Sequence, residues 1–538
     1  MEERLFVQAR FLPSLDDVNA AQALFRRLGA AAQVAPVPAR ADAIIVRDGR
    51  IIALGDARGL ARRAPDAERI DLRTRTLLPG LVDSHCHLVS YGLAWLAEAD
   101  LAGARSLAEV QARLRAHATA TGIRPGDGRW LLGRGFDQDA FAERRWPTRA
   151  DLDAVSTEIP IRITRICGHA LVVNTPALNA AVPDASLSRV GEGTSGPDSL
   201  IRGIFTENAM APVCRAIPPP TDEIYLQAAR HATRAAAAAG FTGVHCLVAS
   251  EQESRALQRL AEAGDLPVRV RLQLASDMLP ALRSLGLATG FGDDRLRIGA
   301  IKLFADGSLG ARTAALHEPY ADDPGNRGTL HFTQEELDAR VQAVADAGCQ
   351  VAVHAIGDRA LDAVLTAFER CRGLPPRPRV EHASFCPPPL LERMARLNVV
   401  AAVQPQFVAS DWWTPERLGP QRARWVYPFR TMLQQGIPLA GGTDCPVERL
   451  NALQALGRAV HRDGRLSEER LTLDEAVAIF TEGAAYAAGE EAEAGRLAPG
   501  CRADFVVLEA DPRAVPAAEI ERIPVAMTVV GGEIVHGG

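Results

Sequence analysis

The apolar positions of this chain form short runs that are hydrophobic at nearly every residue, separated by longer stretches with a helical pattern. Continuous apolar runs of this length are typical of strands that are buried on both faces of a parallel sheet. Eight such strands are predicted, at residues 81–83, 241–248, 268–274, 298–304, 350–356, 379–384, 399–404 and 437–443.

Helices are predicted between these strands. Thr333 with Glu336 and Thr472 with Glu475 form capping-box patterns that mark helix starts, and glycines close Ala-rich runs where helices would end. Eight strands that alternate with helices predict an α/β fold, a (β/α)8 TIM barrel over residues 79–487.

Both ends of the chain predict short strand pairs. Residues 43–55 read as two strands around an Asp-Gly turn, and residues 503–508 and 525–535 predict further strands with a Gly-Gly turn. Because isolated strand pairs are unstable in water, we expect residues 43–78 and 488–538 to form one composite β-sandwich domain.

Two segments do not fit this plan. Residues 1–42 are an N-terminal extension of unknown role, with an Ala-rich helix predicted at 17–32 and a linker at 33–40. Roughly 155 residues separate the first barrel strand from the second, far more than one strand-helix-strand unit needs. The simplest explanation is an inserted subdomain at about residues 100–215.

Composition and charge narrow the functional classes. The 538 residues carry a formal net charge of -6 with the charges dispersed, so a basic surface for nucleic acid is not expected. The acidic start does not resemble a signal peptide, and no apolar run has membrane-spanning length, which favours a soluble cytoplasmic protein. Nine thinly spread cysteines favour reduced thiols over a disulfide framework.

Candidate metal ligands follow the predicted strands. His85 and His87 are two residues apart, so in an extended strand both imidazoles point the same way. Reactive groups of such barrels lie at the carboxyl ends of the strands. Four more candidates occupy those positions in later strands, namely Lys302, His354, His382 and Asp444.

Lys302 is unusual because it lies inside an apolar strand. A buried ammonium without a partner is costly. Carbamylation by carbon dioxide would convert the amine into a carboxylate that can bridge two cations. An ion pair with Asp306 is the alternative.

The ordered series His-x-His, lysine, histidine, histidine and aspartate resembles the amidohydrolase superfamily of metal-dependent hydrolases. Shorter phrases are similar to its amidohydrolase-3 branch, the YtcJ-like and N-substituted formamide deformylase group. These phrases lie at residues 133–138, 168–174, 302–313, 354–360, 381–383 and 442–444. The resemblance runs from about Ala43 to the C-terminus, and only the first forty residues depart from it.

The resemblance implies two metal ions per chain, zinc by preference, with nickel, iron or manganese compatible with the same ligand types. His85, His87 and Asp444 would hold the more buried ion, and carbamylated Lys302 would bridge it to a second ion on His354 and His382. Asp444 would be the catalytic residue. It would accept a proton from the attacking water and pass that proton to the leaving nitrogen.

The expected function is hydrolysis of a non-peptide C–N bond, in an amide or N-formyl group, by metal-activated hydroxide. The expected partner is a small-molecule amide, with no nucleic acid and no membrane, and a homodimer is compatible with the resemblance. One alternative is a mononuclear deaminase of the same superfamily, which Lys302 argues against. The other is a non-enzymatic binding relative, and such relatives tend to lose metal ligands.

Four further residues are candidates for substrate binding. Asp306 and Arg312 flank a Gly-Ser-Leu-Gly loop, where they would bind a polar substrate group or fix the loop to the barrel rim. His169 lies in the predicted insertion, either facing the substrate or within a hydrogen-bonded core. Trp412 would line an apolar pocket or pack in a surface loop.

Overall fold

The computed structural model describes residues 3–12, 41–181 and 201–537, and its centre is a ring of eight parallel strands. Neighbours in the ring follow chain order. The strands are β1 (Leu81–Cys86), β2 (Phe241–Val248), β3 (Arg269–Ala275), β4 (Leu296–Phe304), β5 (Gln350–Ala355), β6 (Arg379–His382), β7 (Val400–Val403) and β8 (Leu439–Gly441). The predicted TIM barrel is therefore confirmed.

The ring closes where the end of β8 meets β1. The backbone N–H of Asp444 donates to the carbonyl of His85 at 2.7 Å, and the N–H of His87 donates to the carbonyl of Cys445 at 2.7 Å. These hydrogen bonds hold the two ends of the barrel sequence together at its carboxyl-terminal rim.

Helices connect the strands and bury their apolar faces. Both predicted capping boxes form, on Thr333 with Glu336 and on Thr472 with Glu475. The helices between β1 and β2 that flank the barrel are Leu88–Ala97 and Asp222–Ala238, and the later ones are Glu251–Glu262, Leu279–Leu285, Gln334–Asp346, Asp358–Arg370, Pro388–Arg396, Phe429–Gln434, Ala452–His461, Leu473–Phe480 and Glu482–Ala488. Among the residues that the structure describes, no helix is long and apolar enough to cross a bilayer.

Two small sheets are formed by the ends of the chain, the first by N-terminal strands alone and the second by strands from both ends. One has the order Arg50–Gly55, Ala43–Arg47, Glu3–Val7 and Glu68–Asp71, and the other has the order Arg10–Phe11, Thr76–Pro79, Phe505–Leu508, Val525–Val530 and Glu533–Gly537. Residues 3–12, to which the sequence assigned no role, thus supply a strand to each sheet. The limits of the predicted domains stay a prediction, and the helix and linker predicted at 17–40 lie outside the described residues.

A five-stranded sheet lies between β1 and β2 in the chain. Its strands are Ile204–Thr206, Ala170–Val173, Ile161–Arg165, Leu131–Phe136 and Glu98–Asp100, in that order. Among the described residues of this region, the α-helices are Leu107–Thr121, Arg149–Asp153, Thr175–Ala181 and Ala211–Ala216. Separate apolar clusters, one around Leu114 and Phe136, show that it has a core of its own.

Phe6 provides a test of the contribution of the N-terminal strand. Its ring is fully buried and meets Phe505 edge-on, with ring centres 5.0 Å apart. We expect Phe6→Ala to lower the free energy of unfolding by about 3–5 kcal/mol, because the change removes buried apolar area and leaves a cavity. Denaturant unfolding measures this effect. Arg10→Ala, on a side chain that is 60% exposed, is the control and should change stability little; equal effects of the two changes would contradict the packing role.

Candidate metal centre

Three side chains from β1 and the end of β8 meet at the barrel rim. The Nε2 atoms of His85 and His87 lie 3.3 and 3.1 Å from Oδ1 of Asp444. One ligand atom from each of the three residues lies within 4.8 Å of the others. Two imidazoles and a carboxylate at this spacing form a ligand set suited to a transition metal such as zinc.

Gly442 allows this close approach. A Cβ at this position would lie 2.6 Å from the backbone nitrogen of His85, so a larger residue would push β8 away from β1. The next residues adopt an unusual backbone, with Asp444 at φ 58. A left-handed conformation costs a non-glycine residue about 1–2 kcal/mol, and such strain is concentrated at functional sites.

Two histidines from β5 and β6 lie beside the first group. The rings of His354 and His382 are 4.5 Å apart between centres, and His382 is 4.9 Å from His85. Lys302 of β4 is buried beside them, with its Nζ 4.5 Å from the centre of the Phe304 ring, which is itself 5.5 Å from that of His354. The six predicted ligands therefore lie together at one rim, although their roles as ligands stay a prediction.

The buried side chain of Lys302 forms no hydrogen bond and no ion pair among the described residues. Burial lowers the pKa of Lys302 to about 8, although the carboxylates of Glu381 and Asp444 oppose the change. The alternative ion pair with Asp306 is not observed, because that carboxylate is occupied by three backbone N–H groups.

Each buried imidazole is held through its second ring nitrogen. Nδ1 of His85 contacts the Glu381 carboxylate, Nδ1 of His382 lies 2.8 Å from Oε1 of Gln404, and Nε2 of His354 donates to the carbonyl of Gly307 at 3.0 Å. Such outer contacts fix the tautomer and the ring orientation of a metal ligand. The remaining nitrogen of each ring stays available as a ligand.

Glu381 belongs to a buried polar network. Arg379 donates from Nε to Oε1 of Glu381 at 2.8 Å and from Nη2 to the carbonyl of Ser84 at 2.7 Å, while its Nη1 lies 2.9 Å from Nδ1 of His245. Burial raises the pKa of Glu381, but the charges of Arg379, His85 and Lys302 outweigh it and hold that pKa well below the usual range. Glu381 is therefore an anion that orients His85.

A cavity opens beside these ligands. Its lining includes His354, His382 and Asp444 from the barrel rim and Arg165 and His169 from the inserted sheet, together with Ser308, Phe407, Asp411, Trp413, Tyr427 and Glu448. The inserted sheet thus contributes to the wall of the same cavity as the predicted metal ligands.

His169 is the one predicted substrate residue that lines this cavity. Its ring centre is 5.1 Å from that of His354, and its Nδ1 lies 2.9 Å from the Glu207 carboxylate. Burial opposes protonation, but Glu207 outweighs it and raises the pKa of His169 to about 9.

The other three predicted substrate residues are placed elsewhere. Asp306 is fully buried and accepts hydrogen bonds from the N–H groups of Ala315, Ile356 and Gly357, so it fixes the loop after β4. Arg312 forms an ion pair with Asp322 at 2.7 Å. Trp412 lies beneath the Arg144 guanidinium, and its neighbour Trp413 lines the cavity instead.

Sequence reasoning missed Glu381, Glu207, Asp411 and Glu448. Glu381 carried a signal, since a carboxylate in a buried strand needs a partner. The other three had none, because they lie in irregular segments and meet the site only through the folding of loops.

Comparison with known proteins identifies the family. The sequence model of the amidohydrolase family matches residues 68–536. This chain belongs to the amidohydrolase family. It is 32% identical to the Bacillus subtilis protein YtcJ, over 92% of this chain and 96% of that protein. It is 27% identical to the N-substituted formamide deformylase of Arthrobacter pascens, over 93% and 96% of the two chains.

A solved relative supports the same assignment. The crystal structure of an uncharacterised metal-dependent hydrolase from Pyrococcus horikoshii OT3 matches this amidohydrolase with a TM-score of 0.76 and 32% identity, over 96% of this chain and 99% of that one. The predicted membership of the amidohydrolase-3 branch is confirmed. The protein is a metal-dependent hydrolase of the amidohydrolase superfamily, and the His85, His87 and Asp444 group is a candidate site for its divalent metal.

Glu381 provides a test of the outer contacts of this amidohydrolase. We expect Glu381→Gln to weaken metal binding about 10- to 100-fold, because the neutral amide no longer favours the orientation and basicity of His85. Metal content after dialysis against graded chelator, read by elemental mass spectrometry, measures the change.

The matched control is Glu253→Gln, which removes a buried carboxylate of the helix after β2. Glu253 accepts a hydrogen bond from the N–H of Ala249, within its own segment. Unchanged metal affinity in Glu381→Gln, or an equal loss in the control, would show that Glu381 does not orient a ligand.

Proposed function

We propose that this amidohydrolase hydrolyses a non-peptide C–N bond, in an amide or N-formyl group of a small molecule. The observation that carries the proposal is that three of the six predicted ligands, His354, His382 and Asp444, line one cavity, while His85 and His87 contact Asp444 beside it. The similarity to the N-substituted formamide deformylase of Arthrobacter pascens supports the type of bond. The nine free thiols support a reducing, cytoplasmic location.

The residues present fit a pair of divalent cations, with zinc preferred for imidazole and carboxylate ligands. Nζ of Lys302 is buried and has no hydrogen-bond partner among the described residues, and Nε2 of His85 and Oδ1 of Asp444 lie 3.3 Å apart without hydrogen-bond geometry. His85, His87 and Asp444 would hold one ion, and His354 and His382 the other, with carbamylated Lys302 between them. Cations held there would supply Lewis acidity that activates water and polarises a carbonyl.

Lys302 is suited to carbamylation because carbon dioxide reacts with the neutral amine. With a pKa of about 8, roughly one amine in ten is neutral at pH 7, compared with fewer than one in a thousand for an unperturbed lysine. The reaction also removes the cost of a buried, unpaired ammonium, since the product is an anion among imidazoles and metal ions.

Asp444 is suited to proton transfer. It is 5% exposed and lines the cavity, and its contacts with His85 and His87 keep its pKa well below the usual range even though burial raises it. As an anion it would accept a proton from the attacking water and then donate that proton to the leaving nitrogen, which departs as a neutral amine. His169 would face the substrate from the opposite wall.

Asp444→Asn tests this role. We expect kcat for hydrolysis of N-formyl and N-acyl compounds to fall about 100- to 10,000-fold, because the amide cannot accept the proton. The assay is amine release by the zinc-loaded protein. Asp358→Asn is the control, since Asp358 binds the N–H of His317 away from the cavity. A zinc-loaded wild-type protein that cleaves no amide in a broad panel would refute the proposed reaction.

Lys302→Met tests the two-metal arrangement. We expect the wild-type protein to bind two ions per chain and to gain the mass of one carbon dioxide, whereas the variant should lose at least one ion, because the bridging carboxylate is absent. Native mass spectrometry reports both quantities. One ion per wild-type chain without the added mass would instead favour the mononuclear deaminase.

A further inference from the structure

The cavity extends away from the metal ligands along aromatic rings. Phe407 stacks on His382 with ring centres 6.1 Å apart, and Tyr427 lies 6.4 Å from Phe407. The Tyr427 hydroxyl donates to Asp411 at 2.5 Å. Asp411 is therefore two rings away from the nearest predicted ligand, in the wall of the same cavity.

Two carboxylates line this far end. Asp411 follows β7, and Glu448 lies four residues beyond Asp444. Among the described residues, neither forms an ion pair with an arginine, lysine or histidine. Burial raises the pKa of Asp411 to about 6 and that of Glu448 to about 7. The charged form of each carboxylate is therefore less stable here than it is in water.

Arg165 is the cation that lines the cavity, but its charge is already balanced. It is 1% exposed, its Nη2 lies 3.2 Å from Asp137 and 3.4 Å from Asp139, and its Nε donates to Gln138. Asp139 is also shared with a buried arginine, Arg417, at 2.9 Å.

His169 is likewise paired, with Glu207. The positive groups of the cavity therefore have charged partners. Among the described residues Asp411 and Glu448 have only neutral ones, the Tyr427 hydroxyl and the Ser410 side chain respectively. An anionic substrate would meet two more anions there, and a cationic one would satisfy them.

Aromatic walls favour the same ligand. Trp413 and Tyr427 line the cavity together with Asp411, and Trp413 already binds one cation of the protein, since the Arg417 guanidinium lies 5.0 Å from its ring centre. Aromatic rings with nearby carboxylates are the combination that recognises organic ammonium groups, through cation–π contacts and charge-assisted hydrogen bonds. Asp444, which is 5% exposed, lines the same cavity, so a ligand bound there reaches the predicted metal ligands.

We propose that the substrate carries a positive charge, an ammonium or amidinium group, at the end remote from the scissile bond, and that this group binds between Asp411 and Glu448 against Trp413 and Tyr427. The inference rests on the proposed function and narrows it to amides or formamides of cationic amines. For a diamine the reaction is N-formyl diamine plus water giving formate plus the free diamine, with the C–N bond broken and a C–O bond formed.

A matched series of formamides tests the proposal. N-Formylcadaverine ends in an ammonium, N-hexylformamide replaces it by a methyl group, and N-formylaminocaproate replaces it by a carboxylate. With the zinc-loaded protein we expect kcat/KM for the cationic compound to exceed that of the neutral one about 10- to 100-fold, and the anionic one to be poorest. Equal values, or a preference for the neutral or anionic compound, would overturn the proposal.

Variants that each remove one negative charge show which residues cause the preference for the cationic compound. Glu448→Gln and Asp411→Asn should each reduce the ratio of cationic to neutral kcat/KM toward one. Glu416→Gln, which removes an exposed carboxylate of the helix Thr414–Leu418, should keep the wild-type ratio. Thermal unfolding shows whether each variant folds. If one of the two does not fold, the ratio of kcat/KM values measured for the other variant tests the site. A ratio that survives both changes would place the cation elsewhere and refute the site.

Ligand binding separates this inference from the proposed reaction. Calorimetry compares cadaverine, hexylamine acetylated on nitrogen, and hexanoate as ligands of the zinc-loaded protein. If no formamide is cleaved, the proposed function fails, yet cadaverine should still bind more tightly than the other two and lose this advantage in Glu448→Gln. Equal or weaker binding of cadaverine would refute the cationic subsite whatever the outcome of the assay.

Discussion

Closure of the barrel between β1 and β8 is the constraint on which the metal centre depends. The two backbone hydrogen bonds there involve three of the predicted ligands, since they join Asp444 to His85 and His87 to Cys445. The buried carboxylate of Asp83 reinforces the joint, since Oδ1 accepts the N–H of Thr443 at 2.9 Å and Oδ2 accepts its hydroxyl at 2.5 Å. Ligands far apart in the chain are thus positioned by the backbone before a metal binds, which lowers the conformational entropy lost on binding.

Without a bound metal ion, this arrangement lowers the stability of the folded protein. A buried polar atom without a partner costs about 1–3 kcal/mol, and Nζ of Lys302 is such an atom among the described residues. Left-handed backbone at His382 and Asp444 adds strain. The continuous apolar core of the barrel offsets these terms. Stability and metal affinity are therefore linked, because any cation that binds only the folded chain stabilises it.

The strands and the ligands that follow them could be predicted from the sequence because both obey short-range rules. Apolar runs mark buried parallel strands, and their carboxyl ends meet at one rim, so His354 and His382 could be assigned to one site without knowing any loop. Asp306 shows the limit of this reasoning. Its position after β4 is that of a site residue, but the hydrogen bonds that occupy its carboxylate come from segments whose course no local pattern fixes.

The same limit applies to the N-terminal strand and to the cavity wall. Glu3–Val7 is too short to be distinguished from a coil by periodicity, and only its partners Ala43–Arg47 and Glu68–Asp71 make it a strand. Trp412 and Trp413 are equivalent in the sequence, yet one contacts Arg144 and the other faces the cavity. The tertiary structure is needed to tell which of two adjacent loop residues faces the cavity. In a strand, the alternation of side chains already tells which residues share a face.

The division between barrel and loops also separates chemistry from specificity. The predicted ligands occupy strand ends, where register fixes them, and a substitution that shifts one disturbs its neighbours through shared hydrogen bonds. The loops after β7 and β8 contain Asp411, Trp413 and Glu448, and the strand register does not fix the positions of these residues. His169 and Arg165 come from the inserted sheet, which sits outside the ring. Relatives can therefore keep one ligand set and change the charge of the far wall, so the reaction type follows from the strands and the substrate from the loops.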